Sequence, residues 1–457
     1  MKFIFADSLD VVDPGYDFEA DTTTVGRKRH WDERYPHELM NPAPYDGVLV
    51  SRSIVGDHRF PGKYSFAQAM RFRREGARKF LRLDGARFKD MSLFGDSGAF
   101  SYVKEEKPPY TPAQMLEFYS DAGFTHGCSV DHVIFEFERE TRTKAAGSVN
   151  ARQRFDITLE NARAFLRLSR SLGSGFTPVG VAQGWSPSSL AKSARALERM
   201  GYTYIALGGL VPLRSDDIHR CLSAVREHIS PKTRIHLLGF AKAEQIGEFA
   251  RYAIESFDST SPLIRAFKDA RSNYYVLNSD QASKTDLFEE KDKGLRYYAA
   301  IRIPQALENT RLTRAVKEGK LNQEDLLELE RRSLDAVRGY ERNEVALEQA
   351  VDRVADYGSL LAEDPSPGSP AREKLRESIR VATRRTLEDR PWSTCDCAIC
   401  QEASIEVMIF RSSNRNKRRG FHNLGVFFQH VQQLLDKEQG SVKIQVPRRH
   451  RTTERRA

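Results

Sequence analysis

The sequence predicts an α/β protein, a (β/α)₈ TIM barrel followed by a helical insertion and a small C-terminal metal subdomain. Three observations lead there: eight short apolar or β-branched runs, amphipathic helical stretches in several of the gaps between them, and a cysteine cluster far beyond the last run. The runs span 2–6, 47–51, 92–100, 127–134, 177–183, 204–209, 234–240 and 255–259, and most stop at Asp, Gly or Ser. Helical periodicity fills 113–122, 159–172, 188–200, 218–228 and 243–253, as parallel strands require. Eight parallel strands favour a closed barrel, with a doubly wound open sheet as the alternative.

Beyond the eighth run the pattern changes. From 307 to 363 the chain is charged and helix-favouring, with apolar positions Leu326, Leu329, Leu334, Val337, Leu347, Val351 and Val354. A Pro/Ser/Gly linker at 364–370 precedes a basic amphipathic helix, 372–390, with Arg376, Arg380 and Arg384 at i, i+4 spacing. The expected organisation is a barrel at 1–270, a mostly helical insertion with its basic helix at 271–390, a metal-binding subdomain at 391–440 and a basic tail at 441–457.

Composition bounds the function. The chain has 457 residues, 40% of them apolar, and a formal net charge of +9. Much of the positive excess falls after residue 370, so a polyanionic partner is expected. The N-terminal apolar run meets Asp7 and Asp10 at once, too short for a signal or spanning segment, which places the protein in the cytoplasm with no membrane association. Five cysteines, three of them within 395–400, suit metal thiolates better than a disulfide framework; Cys128 and Cys221 read as core residues.

Cys395, Cys397 and Cys400, followed by an imidazole, supply three thiolates and a nitrogen, a closed tetrahedral set that suits structural Zn²⁺. His422 and His430 both compete for the fourth position. The stretch 411–419 between cysteines and histidine carries Arg415, Lys417, Arg418 and Arg419, and reads either as a metal-held basic loop facing phosphate or as a solvated charge run. Three aspartates, Asp96, Asp131 and Asp258, sit at or near predicted strand ends, which converge on one mouth in a barrel. Together they can divide the work of breaking a glycosidic bond; singly, each could be a helix cap. Gln183-Gly184 and Gly208-Gly209 end two further strands, where a flat heterocycle could approach backbone N–H groups or where tight βα turns need glycine. His126 and His132 flank the fourth run as packing or phosphate-contact residues, and Asp7 has no assigned role.

In order, Asp96-Ser97-Gly98-Ala99-Phe100, Ala182-Gln183-Gly184, Leu207-Gly208-Gly209-Leu210, Phe257-Asp258 and the C-x-C-x₂-C set ending in His422-Asn423 resemble the tRNA-guanine transglycosylase family over about 90–270 and 390–435. The resemblance implies a zinc-containing pentosyltransferase in which Asp258 attacks C1′ of the target nucleoside and Asp96 manages the proton. It further implies that Asp131, Gln183, Gly184, Gly208, Gly209, Ser97 and Phe100 form the base site, and that His422 rather than His430 completes the metal set. Ala99, Ser101 and the segment Ser261-Pro262-Leu263-Ile264-Arg265 depart from the tRNA enzymes where the polynucleotide is expected. Tyr35-Pro36-His37 and the run 45–51 are more similar to the DNA-modifying branch, which inserts the 7-deazaguanine preQ0 into DNA.

The expected activity is therefore exchange of guanine in DNA for preQ0, with Arg376, Arg380, Arg384, Arg415, Lys417, Arg418, Arg419 and the tail at 448–456 as candidate phosphate contacts. A tRNA enzyme of the same chemistry and a catalytically silent zinc-containing nucleic-acid-binding subunit are the alternatives. Oligomeric state, and any partner proteins of a DNA-modification system, stay open.

Overall fold

The computed structural model describes residues 1–57, 60–139, 146–268, 271–278 and 294–442, without the side chains of Ala243 and 437–442. Eight strands, β1 (Lys2–Ala6), β2 (Gly47–Ser51), β3 (Ser92–Asp96), β4 (His126–Cys128), β5 (Thr177–Ala182), β6 (Tyr204–Leu207), β7 (Arg234–Leu237) and β8 (Ile254–Ser259), close into a barrel in chain order. Every neighbouring pair is parallel, and β8 returns to β1 through Phe3↔Phe257 and Ile4↔Asp258. The open-sheet alternative is excluded. Inward side chains of Ile4, Leu49, Phe94, Val181, Tyr204 and Ala206 fill the barrel as a layer separate from the outer core, so its interior is solid and chemistry is confined to its mouth. Cys128 and Cys221 are buried core residues, as expected.

The helices begin where local caps dictate. Thr111 accepts from Gln114 N at the start of Pro112–Ala122, and Ser186 accepts from Ser189 N at the start of Pro187–Met200. Val149–Ser169 starts ten residues before the expected helix at 159, because Ser148 caps it by accepting from Ala151 N and only Ala151, Phe155 and Thr158 mark its buried face before that point. The 243–253 segment is helical but of the tighter 3₁₀ type over Ala243–Tyr252. Five strands, β3 to β7, end earlier than expected, β3 and β4 by the most. β3 stops at Asp96 because Gly98 takes φ +82° and Ala99–Tyr102 coils into a 3₁₀ turn; β4 stops at Cys128.

Past the barrel come the helices Thr310–Lys317, Gln323–Glu341, Leu347–Ser359 and Pro370–Asp389, which bury Leu326, Leu334, Val337, Val351 and Val354. The segment at 271–390 does not open on a helix: β9 (Tyr274–Leu277) and β10 (Leu295–Tyr298) pair antiparallel ahead of it. The stretch at 411–419, read as a loop, lies largely in the first turns of the long helix Ser413–Val442. The tail at 448–456 lies outside the described residues. Among the described residues, no helix is long and apolar enough to cross a membrane.

Candidate active site and metal centre

The C-terminal ends of the strands open into a cavity of ≈ 830 Å³ lined by Asp96, Asp131, Gln183, Gly208, Gly209 and Asp258, among others. All three aspartates, one from the end of β3, one from the turn after β4 and one from β8, reach this one space. Asp131 is fully buried and takes the Gln183 amide on Oδ2 at 2.7 Å, whereas its Oδ1 is buried and has no hydrogen-bond partner among the described residues. Asp96 accepts Gly98 N–H on Oδ2 at 2.9 Å, and its Oδ1 is likewise buried and unpartnered among the described residues. A buried carboxylate oxygen with no donor is costly unless a ligand supplies one.

Electrostatics separates the acids. Burial, then the charge of Asp258, raises the Asp96 carboxyl to about 6. Burial, then the charge of Asp96, raises that of Asp131 to about 7. Both are thus poised to exchange protons near neutrality, as acid–base work requires. Asp258 is held differently: its Oδ1 accepts from Gly239 N–H at 2.8 Å and faces His236 Nε2 at 3.0 Å, while Oδ2 accepts no hydrogen bond among the described residues.

The glycines have distinct reasons. A Cβ on Gly208 would stand 2.2 Å from Gln183 Nε2, so that glycine makes room for the amide. Gly209 has φ +75°, which a side chain would strain, and its N–H has no hydrogen-bond partner among the described residues. Gly184 and Ser97 do not line the cavity. Gly184 admits the backbone of Leu190, 2.5 Å from where its Cβ would be, and Ser97 Oγ lies 2.7 Å from the Tyr102 hydroxyl, which donates to the Asp131 carbonyl at 3.1 Å. Phe100 stands on the rim, 50% exposed, with its ring 5.5 Å from that of Phe135. His126 stacks on Phe94 at 4.3 Å and His132 Nε2 contacts the Glu105 carbonyl at 2.9 Å, both away from the acids. Asp7 is buried beside its own turn, accepting from Leu9 N at 3.0 Å. His236 was not anticipated: one histidine between Ile235 and Leu237 on a strand looks like a core residue.

Cys395, Cys397, Cys400 and His422 converge, their ligand atoms all within 4.8 Å of one another. His422 Nδ1 lies 3.4–3.5 Å from the three sulfurs, close to the roughly 3.6 Å that tetrahedral bond lengths to Zn²⁺ imply. Its Nε2 lies 2.8 Å from the Tyr275 carbonyl, which can take the proton on Nε2 and leave Nδ1 for a metal. The donor set therefore fits a closed metal site, and His430 lies outside it. Asn423, next in sequence, donates to the carbonyls of Pro262 and Asn273 at 3.1 and 2.8 Å, tying the metal helix to the helix Ser261–Lys268 that follows Asp258.

The structure corrects the basic candidates. Arg415, Arg418 and Arg419 are 0% exposed. Arg415 holds Asp21 and Glu406, Arg418 pairs with Glu402 at 2.8 Å, and Arg419 donates to the carbonyls of Val407 and Ala266, both at 2.8 Å. Lys417 Nζ donates to Val11 O at 3.0 Å. These side chains tie the long helix to the rest of the fold, because acids and carbonyls from other segments fold onto them. Arg376, Arg380 and Arg384 pair with Asp352, Asp356 and Glu348 of the preceding helix, so their charge is neutralised within the fold.

No family model matches the chain. A curated protein does: the DNA-guanine transglycosylase of Salmonella montevideo is 39% identical over 438 residues, spanning 95% of this chain and 97% of that protein. At that identity over nearly the full length of both proteins, the chain belongs to the DNA-guanine transglycosylase family of pentosyltransferases.

Proposed function

We propose that the protein exchanges guanine in DNA for a 7-deazaguanine such as preQ0 through a covalent Asp258–sugar ester. The observation that carries this reading is the pair of buried, unpartnered carboxylate oxygens, Asp96 Oδ1 and Asp131 Oδ1, in the same cavity as Asp258. Asp131 Oδ1 awaits donors, and the N1–H and exocyclic amine of guanine supply two on one edge. Gln183 and the Gly209 N–H would address the carbonyl oxygen beside them. Adenine or a pyrimidine would leave these buried groups unpaired, which is the physical basis of selectivity.

In the first half-reaction Asp258 Oδ2 bonds to C1′ as the C1′–N9 bond breaks, its electron pair leaving with guanine and a proton coming from Asp96. An Asp96 carboxyl raised to about 6 suits that transfer. In the second half the 7-deazaguanine, which presents the same edge, loses its N9 proton to Asp96 and attacks C1′, releasing Asp258. The target base must leave the duplex to reach a cavity this deep. Lys268 and Arg265, which line the cavity, are the proposed phosphate contacts, Arg265 while also paired with Glu244 at 3.3 Å. Cys395, Cys397, Cys400 and His422 would hold structural Zn²⁺, which has no open position for chemistry.

The relative's substrate favours DNA over tRNA for this chain. Purified protein given labelled guanine or preQ0 with plasmid DNA or bulk tRNA in parallel tests this: label enters DNA and not tRNA, and Asp258→Ala abolishes it. Label in tRNA alone would establish the tRNA alternative.

A further inference from the structure

Behind Asp258 lies a line of buried hydrogen bonds that the exchange chemistry described above leaves unused. His236, 0% exposed on β7, places Nε2 3.0 Å from Asp258 Oδ1 and Nδ1 2.6 Å from Ser256 Oγ; Ser256 Oγ in turn lies 2.5 Å from the Tyr204 hydroxyl. Phe94 covers one face of the imidazole at 5.2 Å. The titratable and charged groups around it are Asp258 on β8, Asp96 at the end of β3, Tyr204 on β6 with Arg234 over its ring at 4.3 Å, and His126 on β4 beyond Phe94.

One proton order satisfies every atom along this line with an uncharged ring. An ionised carboxylate is acceptor-only, so Nε2 must carry the proton that faces it. Nδ1 then accepts from Ser256 O–H, and Ser256 Oγ accepts from Tyr204 O–H. In that order the ring is held in one orientation by a hydrogen bond at each nitrogen.

We propose that His236, locked as the Nε2–H tautomer by Ser256 and Tyr204, is the positioning residue for the nucleophile. Together with Gly239 N–H it occupies Asp258 Oδ1, so that Oδ2 alone is presented to C1′. This rests on Asp258 being the nucleophile. When the Oδ2–C1′ bond forms and the C1′–N9 pair departs with the base, Oδ1 becomes the ester carbonyl and keeps both N–H donors. When the incoming base attacks C1′, the C1′–Oδ2 pair returns to the carboxylate, and the same two donors take up the developing negative charge. No proton moves on His236 in either half. The donors help most when the carboxylate departs, so their loss slows ester breakdown more than ester formation.

The test compares His236→Phe, His236→Gln and Ser256→Ala with the parent enzyme and Asp258→Asn, each checked by melting temperature. It reads kcat, KM for the base, and the fraction of enzyme trapped on DNA by acid quench. His236→Phe should lower kcat about 30-fold or more while KM changes less than about threefold, and the trapped fraction should rise. His236→Gln, which can return an N–H donor to the Nε2 position, should recover at least about a tenth of parental kcat. Ser256→Ala should fall between parent and Phe variant. A kcat within threefold of parent in His236→Phe, a rise in KM at unchanged kcat, or a trapped fraction that does not rise would each overturn the proposal. If His236→Phe does not fold, the other two variants decide it: Ser256→Ala with parental kcat, or a folded His236→Gln as inactive as Asp258→Asn, overturns it. A parent enzyme that exchanges no base would instead sink the Asp258 reading itself.

Discussion

Burial and the neighbouring Asp96 lift the Asp131 carboxyl to about 7 from its ordinary 3.8, and this has a consequence for stability as well as recognition. A carboxyl whose folded value is raised binds its proton more tightly in the native state. Its stabilising contribution is full below 3.8 and is lost as pH rises through about 7. Asp131→Asn, which does not titrate, should therefore melt with the parent at pH 4 and above it at pH 8, by on the order of 3 kcal/mol, while exchanging no base. A melting difference that does not vary between these pH values would contradict the electrostatic reading. The three aspartates were legible in the sequence because strand ends converge in any barrel, so their placement needed only the strands. His236 was not, since an inward-facing histidine looks the same in sequence whether it meets a carboxylate or a core leucine. The arginines of the long helix misled for a related reason. Charge spacing on one element says nothing of Asp21, Glu402 and Glu406, which the fold brings to Arg415 and Arg418 from elsewhere.

Among the elements, the eight barrel strands were legible because each is a short apolar run bounded by turn residues, and the end of β3 falls early where Gly98 and a 3₁₀ turn intervene. The β9–β10 hairpin was missed because its partner runs are aromatic rather than alternating and lie apart in sequence. The βα turn after β6 carries a sharper test. A methyl group at Gly208 would meet Gln183 Nε2 at 2.2 Å, and that amide is already committed to Asp131 at 2.7 Å, so it must swing away. Gly208→Ala should raise KM for the base about tenfold or more, with the melting temperature close to that of the parent. Unchanged steady-state kinetics in the folded variant would remove Gln183 from the base site.

At the scale of the whole molecule, the metal centre and the barrel mouth are mechanically joined. Asn423 ties the helix carrying His422 to Pro262, four residues beyond Asp258, and Arg419 reaches Ala266 on the same short helix. Elemental analysis should find one zinc per chain, and stripping it with a chelator should lower the melting temperature by about 10 °C or more and abolish exchange. Full activity in metal-free protein would contradict the structural role. Arg415, 0% exposed between Asp21 and Glu406, joins the long helix to the N-terminal segment. Arg415→Ala should cost about 2–3 kcal/mol in chemical denaturation, because its charged hydrogen bonds are lost while Asp21 keeps Arg411 and Glu406 keeps Arg338. An unfolding free energy within error of the parent would show that the pairing does not support the fold. The central claim is the covalent one, and mass spectrometry of acid-quenched enzyme after incubation with a guanine-containing oligodeoxynucleotide tests it most directly. The account predicts an adduct on the peptide carrying Asp258, guanine released in equal amount, and neither with Asp258→Asn. Base exchange at the parental rate with no adduct, or with the adduct on another residue, would contradict it.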